Sequence, residues 1–215
     1  MRFIRDTIIT LFGRMLILGF SLLALVLTTR LLGSEGRGIY AMVILAATVV
    51  KMVFSLGIEV GNVYYAGRSR IPLHVLAGNS VFFAAGLGVL AVIASYALFR
   101  FVPLSFFKGI APYYLEIALI AVPFFLLSTF FGSLFLGRRD LGRYNILQVA
   151  HPLINALILA ILWRCGWFSL ESVIWTWIAA HAALGLFSAF LFAREVPFPL
   201  SVHRHAAGMT VRYSF

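Results

Sequence analysis

Continuous apolar runs of about 20 residues or more recur along this chain and restrict it to very few folds. A helix of about that length spans the hydrocarbon core of a bilayer. In lipid, only helices and closed barrels satisfy the backbone polar groups, and continuous rather than alternating runs exclude a barrel. Charged residues make up 11% of the chain and hydrophobic residues 62%, whereas soluble proteins average about 25% charged residues. The sequence therefore predicts an all-α, polytopic membrane protein.

Six transmembrane helices are predicted, joined by short polar loops. They cover residues 7–32, 39–66, 74–99, 113–137, 144–164 and 172–193. The first segment is too long for the apolar region of a signal peptide, so we interpret it as a retained helix. Residues 1–195 form one six-helix lobe in this interpretation, and residues 196–215 form a cytoplasmic tail.

The net charge of +10 would suggest a nucleic-acid partner in a soluble protein. Here the basic residues alternate between the two membrane faces, with about twice as many in the loops of one face as in those of the other. Basic loops stay in the cytoplasm. The charge therefore predicts a multi-pass protein of the cytoplasmic membrane with both termini in the cytoplasm, surrounded by lipids and without nucleic acid.

The second segment carries two charges, Lys51 and Glu59, inside a predicted helix. At about 100° per residue, one side carries Thr48, Lys51, Ser55, Glu59 and Asn62. Lys51 lies roughly 18 Å from the outer end of the segment, which is too far for its side chain to reach water along the helix. A charge at that depth costs on the order of 3 kcal/mol. Lys51 must therefore face a wet cavity, or a buried ion pair that only fixes helix packing.

Other polar side chains of the spans have two interpretations each. Glu59 is either a counter-charge for a basic residue such as Arg14 or a protonatable group in ion coupling. Arg14 and Ser21 share one side of the first helix, where Arg14 either lines a cavity or reaches the cytoplasmic interface. Gln148 and Asn155 share a side of the fifth helix, which suits sugar hydroxyls or hydrogen bonds between helices.

No constellation typical of an enzyme is visible in the sequence. It has no phosphate-binding glycine loop, no paired carboxylates at fixed spacing, no metal-ligand cluster and no nucleophile–histidine–acid context. Cys165 is the single cysteine and has no companion for a disulfide or a metal site. We expect a protein that is not an enzyme and that needs no cofactor or metal.

Four short stretches carry a resemblance to a known family. They are Thr-Arg-Leu-Leu-Gly-Ser-Glu-Gly-Arg-Gly-Ile-Tyr at 29–40, Ser-Leu-Gly-Ile-Glu at 55–59, Asn-Val-Tyr-Tyr at 62–65 and Gly-Arg-Arg-Asp at 137–140. Together with the six-helix spacing, they resemble the Wzx-type polysaccharide flippases of the multidrug/oligosaccharidyl-lipid/polysaccharide (MOP) superfamily. The resemblance implies a MATE-like fold with two six-helix lobes around a cationic cavity, and alternating access. It also implies a flippase for isoprenoid diphosphate-linked oligosaccharides in the inner membrane.

The chain departs from that family because it supplies one lobe rather than two. Residues 205–215 resemble the approach to a seventh helix. We interpret the sequence as either truncated or a half-transporter that pairs with a second lobe or a second copy, which would regenerate a site between repeats. Cell-surface polysaccharide synthesis would also make the glycan polymerase machinery a partner.

These observations combine into one functional hypothesis with two rivals. Lys51 and Arg14 attract the diphosphate, and Glu59 serves in coupling. The polar residues that accept sugar hydroxyls are Ser21, Ser55, Gln148 and Asn155. One rival is a cation-coupled drug exporter of the same superfamily, for which buried acids would be the dominant charges. The other is a non-transporting membrane assembly partner, for which the polar stripes would be dry and fully paired.

Overall fold

The protein is built from helices that follow one another closely along the chain. The computed structural model describes residues 2–69, 71–101, 107, 109–195 and 207–211, with side chains from residue 7 onward. Its helices are α1 (Arg2–Phe54), α2 (Ile58–Arg68), α3 (Leu73–Phe101), α4 (Pro112–Ala118), α5 (Ala121–Gly137), α6 (Leu141–Cys165) and α7 (Leu170–Ala193). Within these described residues, five helical stretches are long and apolar enough to cross a membrane. The all-α, membrane-spanning prediction is confirmed.

Helix α1 contains two spans. Its 53 residues would extend about 80 Å as a straight helix, more than twice the hydrocarbon thickness. The helix is interrupted at Gly33, whose φ of 70° and ψ of −178° suit only glycine. Both halves border the same two cavities, in opposite residue order. The halves, residues 2–32 and 34–54, are therefore antiparallel, as the first two predicted helices require.

The second predicted helix is not continuous, so the prediction of one helix over 39–66 is wrong. Helix α1 ends at Phe54, and the chain becomes helical again as α2 at Ile58. Leu56 (φ 48°) and Gly57 (φ 68°) occupy the left-handed region, which is costly for leucine and easy for glycine. Apolar residues lie on both sides of the break, so hydrophobic periodicity alone predicts no interruption there.

The fourth predicted helix is divided into α4 and α5, at a turn formed by Leu119 and Ile120. Pro123 explains the position of this division, because proline lacks a backbone N–H and crowds the carbonyl four residues earlier. The third, fifth and sixth predicted helices correspond to α3, α6 and α7 within a few residues. Of the predicted tail, residues 207–211 are helical, whereas 196–206 and 212–215 lie outside the described residues.

Helix α5 is at the centre of the lobe and packs against α2, α3 and α7. Two glycines of the neighbouring helices allow this close approach. A Cβ on Gly88 of α3 would lie 2.8 Å from the Cα of Pro123, and one on Gly185 of α7 would lie 2.8 Å from the carbonyl oxygen of Phe124. Small residues at helix interfaces are the usual means of tight packing in membranes. Tight packing on these sides of α5 fixes the walls of the cavities described below.

Candidate functional site

The break between α1 and α2 places Lys51 and Glu59 on the wall of the same cavity. This cavity, which we call the Lys51 cavity, has a volume of about 730 Å³ and is bordered by α1, α2, α5, α6 and α7. Its polar lining consists of Ser21, Thr48, Lys51, Glu59, Ser128, Thr129, Ser133, Tyr144, Gln148, His151, Trp177 and His181. The volume falls in the range of small-molecule binding sites.

Lys51 faces this cavity rather than the lipid. Its side chain is half-buried, and its ammonium nitrogen lies 5.1 Å from the centroid of the Phe125 ring. A cation over an aromatic face gains on the order of 1 kcal/mol, much less than full hydration provides. Among the described residues, no carboxylate forms an ion pair with Lys51. A positive charge without a carboxylate partner thus stands at the edge of a cavity.

Glu59 borders the same cavity from α2. One carboxylate oxygen, Oε1, accepts a hydrogen bond of 3.2 Å from the hydroxyl of Ser55. The other, Oε2, is buried and has no hydrogen-bond partner within the described part of the chain. A buried carboxylate oxygen left unpaired is costly, so a hydrogen-bond donor or a cation that entered the cavity would find an acceptor here.

Two predicted substrate-binding residues lie away from the lining. Ser55 is 3% exposed. Its hydroxyl lies within hydrogen-bonding distance of two acceptors, the Glu59 carboxylate and the Met52 carbonyl oxygen. Arg14 is exposed on α1 and borders neither cavity. One turn before Arg14, the hydroxyl of Thr10 accepts a hydrogen bond of 3.1 Å from Asn145 of α6. The structure therefore gives Ser55 and Arg14 no contact with the cavity, and their predicted roles stay predictions.

The remaining predicted polar residues border one or both cavities. Ser21 lies on both, and Gln148 borders the Lys51 cavity, where it donates a hydrogen bond of 2.7 Å to the Tyr144 hydroxyl. Asn155 belongs to the second cavity. The predicted stripe continued to Asn62, but its amide instead donates to Ser80 (3.0 Å) and joins α2 to α3.

A histidine pair is the feature of the site that sequence reasoning missed. Nε2 of His151 on α6 lies 3.0 Å from Nδ1 of His181 on α7, and that Nδ1 also lies 3.0 Å from the carbonyl oxygen of Trp177. The sequence places His181 and Trp177 one helical turn apart on one face. It does not show that the neighbouring helix supplies a second imidazole to the same point.

A second cavity adjoins the first. It has a volume of about 440 Å³ and is bordered by both halves of α1 and by α6 and α7. It contains Arg37 and Asn155, so we call it the Arg37 cavity. The two cavities have five lining residues in common, namely Ser21, Thr48, His151, Pro152 and Trp177.

Water access to the Lys51 cavity is testable by cysteine labelling. In a Cys165→Ser background, we expect Thr129→Cys, which lines the cavity, to react with a charged, membrane-impermeant maleimide. The matched control is Ser188→Cys, because Ser188 is fully buried in α7 and borders neither cavity. It should react at least tenfold more slowly. Equal and slow reaction at both positions would contradict a wet cavity and favour the assembly-partner alternative.

Comparison with known proteins finds the same fold in two solved structures. One, a MATE protein in complex with MaD5, has a TM-score of 0.69 at 16% identity over 97% of this chain and 51% of its own. The chain has the fold of one half of a MATE protein. The other is a MOP superfamily transporter from Pyrococcus furiosus, with a TM-score of 0.67 at 17% identity over 98% of this chain and 50% of its own. No family model and no curated protein matches the sequence.

This chain spans about half the length of each solved protein. The description of the Pyrococcus furiosus protein states that a binding pocket of reverse polarity suggests a different function for that transporter. Similarity at this level of identity shows the fold alone. The substrate must be inferred from the residues of the cavities.

Proposed function

We propose that this chain is one lobe of a transporter that moves an isoprenoid diphosphate-linked oligosaccharide across the cytoplasmic membrane. The observation that carries the proposal is the position of Lys51, a cation that forms no ion pair with a described carboxylate, on the wall of a polar cavity. A cation in a low-dielectric wall attracts phosphate strongly. The lysine compensates the diphosphate charge, while the isoprenoid stays in the lipid.

The sugar part of the substrate suits the remaining lining. The cavity wall carries the hydroxyls of Ser21 and Thr129 and the amide of Gln148. Amides and hydroxyls both donate and accept hydrogen bonds, so they replace the water bound to sugar hydroxyls. In this proposal, the anionic group binds at Lys51 and the glycan lies along α1, α5 and α6.

The second lobe completes the transporter in this proposal, either as a further part of the same protein or as a second copy. Both solved proteins of this fold are about twice as long as this chain. Transporters built from repeats bind substrate at the repeat interface and work by rocking one repeat against the other. In the cell we expect the protein in the cytoplasmic membrane, with both termini in the cytoplasm, beside the enzymes that build and polymerise the glycan.

Glu59 is the coupling residue in this proposal. Its buried Oε2 lacks a hydrogen-bond donor in the described structure, and protonation or cation binding would satisfy it. Lys51 and Glu59 border one cavity, so neutralising Glu59 strengthens the field that an anionic head group meets at Lys51. Proton uptake and substrate binding are therefore favourably coupled.

A drug exporter is the second candidate function, and the unpaired Oε2 of Glu59 is the observation that favours it. A cationic drug would bind at Glu59 and be repelled by Lys51. The description of the Pyrococcus furiosus transporter associates pocket polarity with function, and the same criterion applies here. The Lys51 and Arg37 cavities hold two basic residues and one acid, which favours an anionic substrate.

Transport into vesicles separates the two functions. The complete protein is reconstituted and offered either a fluorescent lipid-linked oligosaccharide diphosphate or a fluorescent cationic drug. We expect translocation of the lipid-linked glycan, faster with a pH gradient, and no uptake of the drug. Glu59→Gln should abolish the effect of the gradient while binding persists. Drug uptake without glycan translocation would overturn the proposal.

A further inference from the structure

The Arg37 cavity has the polar groups of a binding site in its own right. Arg37 is half-buried on the second half of α1, and its guanidinium carbon lies 5.3 Å from the centroid of the Tyr40 ring. In the described part of the chain, Arg37 forms no ion pair. A guanidinium oriented by an aromatic face presents its remaining N–H groups as a planar fork that matches a phosphate.

Asn155 supplies a second, independent indication of a ligand in this cavity. The residue is 8% exposed and borders the Arg37 cavity from α6. Its Oδ1 is buried and has no hydrogen-bond donor among the residues that the structure describes. Buried acceptors are normally satisfied, and a sugar hydroxyl entering the cavity would provide the missing donor.

Arg37 and Lys51 lie on the same helix, one in each cavity, and are separated along its axis. The second half of α1 is a regular helix over residues 34–54. The separation of 14 residues from Arg37 to Lys51 corresponds to about 21 Å along the axis, roughly two thirds of the hydrocarbon thickness. Two cations thus stand one above the other along the direction in which a head group must travel.

We propose that the Arg37 cavity is a second binding station for a sugar-phosphate group, occupied after the Lys51 cavity has released it. The inference rests on the proposed function and adds to it a second site with its own cation. Arg37 binds the phosphate oxygens, and the Oδ1 of Asn155 accepts a hydrogen bond from a sugar hydroxyl. The ligand class is a phosphate next to a sugar, which is the chemistry at the junction of a lipid-linked glycan.

The passage between the stations is bordered by the residues common to both cavities. His151 and Trp177 belong to this border, and the contact of His151 with His181 ties α6 to α7 there. Pro152, also on the border, has no backbone N–H, so α6 lacks one of its backbone hydrogen bonds there. A group that moves from Lys51 to Arg37 must pass these side chains. A reporter in each cavity therefore detects occupancy of the two stations separately.

Cysteine protection tests the second station with two reporters in the Cys165→Ser protein. Ala41→Cys reports on the Arg37 cavity, and Thr129→Cys reports on the Lys51 cavity, since each residue lines only that cavity. The probe is glucose 1-phosphate. We expect it to slow maleimide labelling at both positions at least threefold. Arg37→Gln should remove protection at position 41 only, and Lys51→Gln at position 129 only.

Two controls sharpen the result. Arg30→Gln removes a basic residue of α1 that is exposed and borders neither cavity, so protection should persist at both positions. Asn155→Ala should weaken protection at position 41 by glucose 1-phosphate more than protection by inorganic phosphate. Protection at position 129 without protection at position 41 would overturn the second station and leave the proposed function standing. Protection at neither position would overturn both.

Discussion

Replacing Lys51 with glutamine is expected to weaken binding of a long-chain prenyl diphosphate by on the order of 10- to 100-fold. Hydrogen bonds to charged groups contribute about 1.5–3 kcal/mol each, and each 1.4 kcal/mol corresponds to a tenfold change in affinity. Glutamine keeps the polarity of the side chain and most of its length but removes the charge. The measurement is equilibrium binding to the purified protein in detergent, followed by tryptophan fluorescence.

The matched control is Arg30→Gln, which removes the same unit of charge from α1. Arg30 is exposed and borders neither cavity, so its loss should change affinity less than threefold. Lys51→Arg should retain most of the affinity, because the charge remains. If Arg30→Gln weakens binding as much as Lys51→Gln does, the diphosphate responds to overall charge, and a local role for Lys51 is contradicted.

Gly88→Ala is expected to destabilise the lobe by about 2 kcal/mol, in the range typical of overpacked cores. The added Cβ would lie 2.8 Å from both the Cα and the Cβ of Pro123, so α3 and α5 must separate. A change of that size lowers the melting temperature by on the order of 5 °C. The measurement is thermal denaturation in detergent, monitored by gel filtration of the protein that stays soluble.

Gly86→Ala is the matched control, two residues earlier on α3. A Cβ there meets no atom within 4 Å, and alanine is the better helix former by about 0.5–1 kcal/mol. Gly86→Ala should therefore leave the melting temperature unchanged or raise it. If Gly88→Ala and the unmodified protein have the same melting temperature, the close contact of α3 with Pro123 is not a feature of the lobe.

Much of the fold follows from the sequence, because lipid makes helix the default state of a long apolar run. The spans corresponding to α3, α6 and α7 are predicted within a few residues. The break at Leu56 and Gly57 is not, because a single glycine also occurs within continuous helices and no local pattern specifies a left-handed leucine. The division between α4 and α5 has a sequence signal, Pro123, but the position of one proline does not distinguish a kink from an interruption.

The candidate site is predictable where one helix supplies it and hidden where several do. The depth of Lys51 in its segment is a local property, and it leads directly to a cavity residue. The pair of His151 and His181 arises from the packing of α6 against α7, which the sequence does not specify. Asn62 falls on the predicted polar stripe only when residues 39–66 are treated as one continuous helix. In the structure, the side chain of Asn62 instead joins α2 to α3.

The most direct measurement is the proximity of the Lys51 nitrogen to phosphorus. Lys51 and Lys108 are the two lysines of the sequence, so labelling with ¹⁵N-lysine gives two side-chain signals, and Lys51→Gln assigns them. With a prenyl diphosphate bound in a bilayer, phosphorus-31 should dephase the Lys51 signal in a solid-state NMR experiment, corresponding to a distance of about 4 Å for an ammonium–phosphate contact. A Lys51 signal that phosphorus leaves unchanged while the ligand is bound would contradict the account.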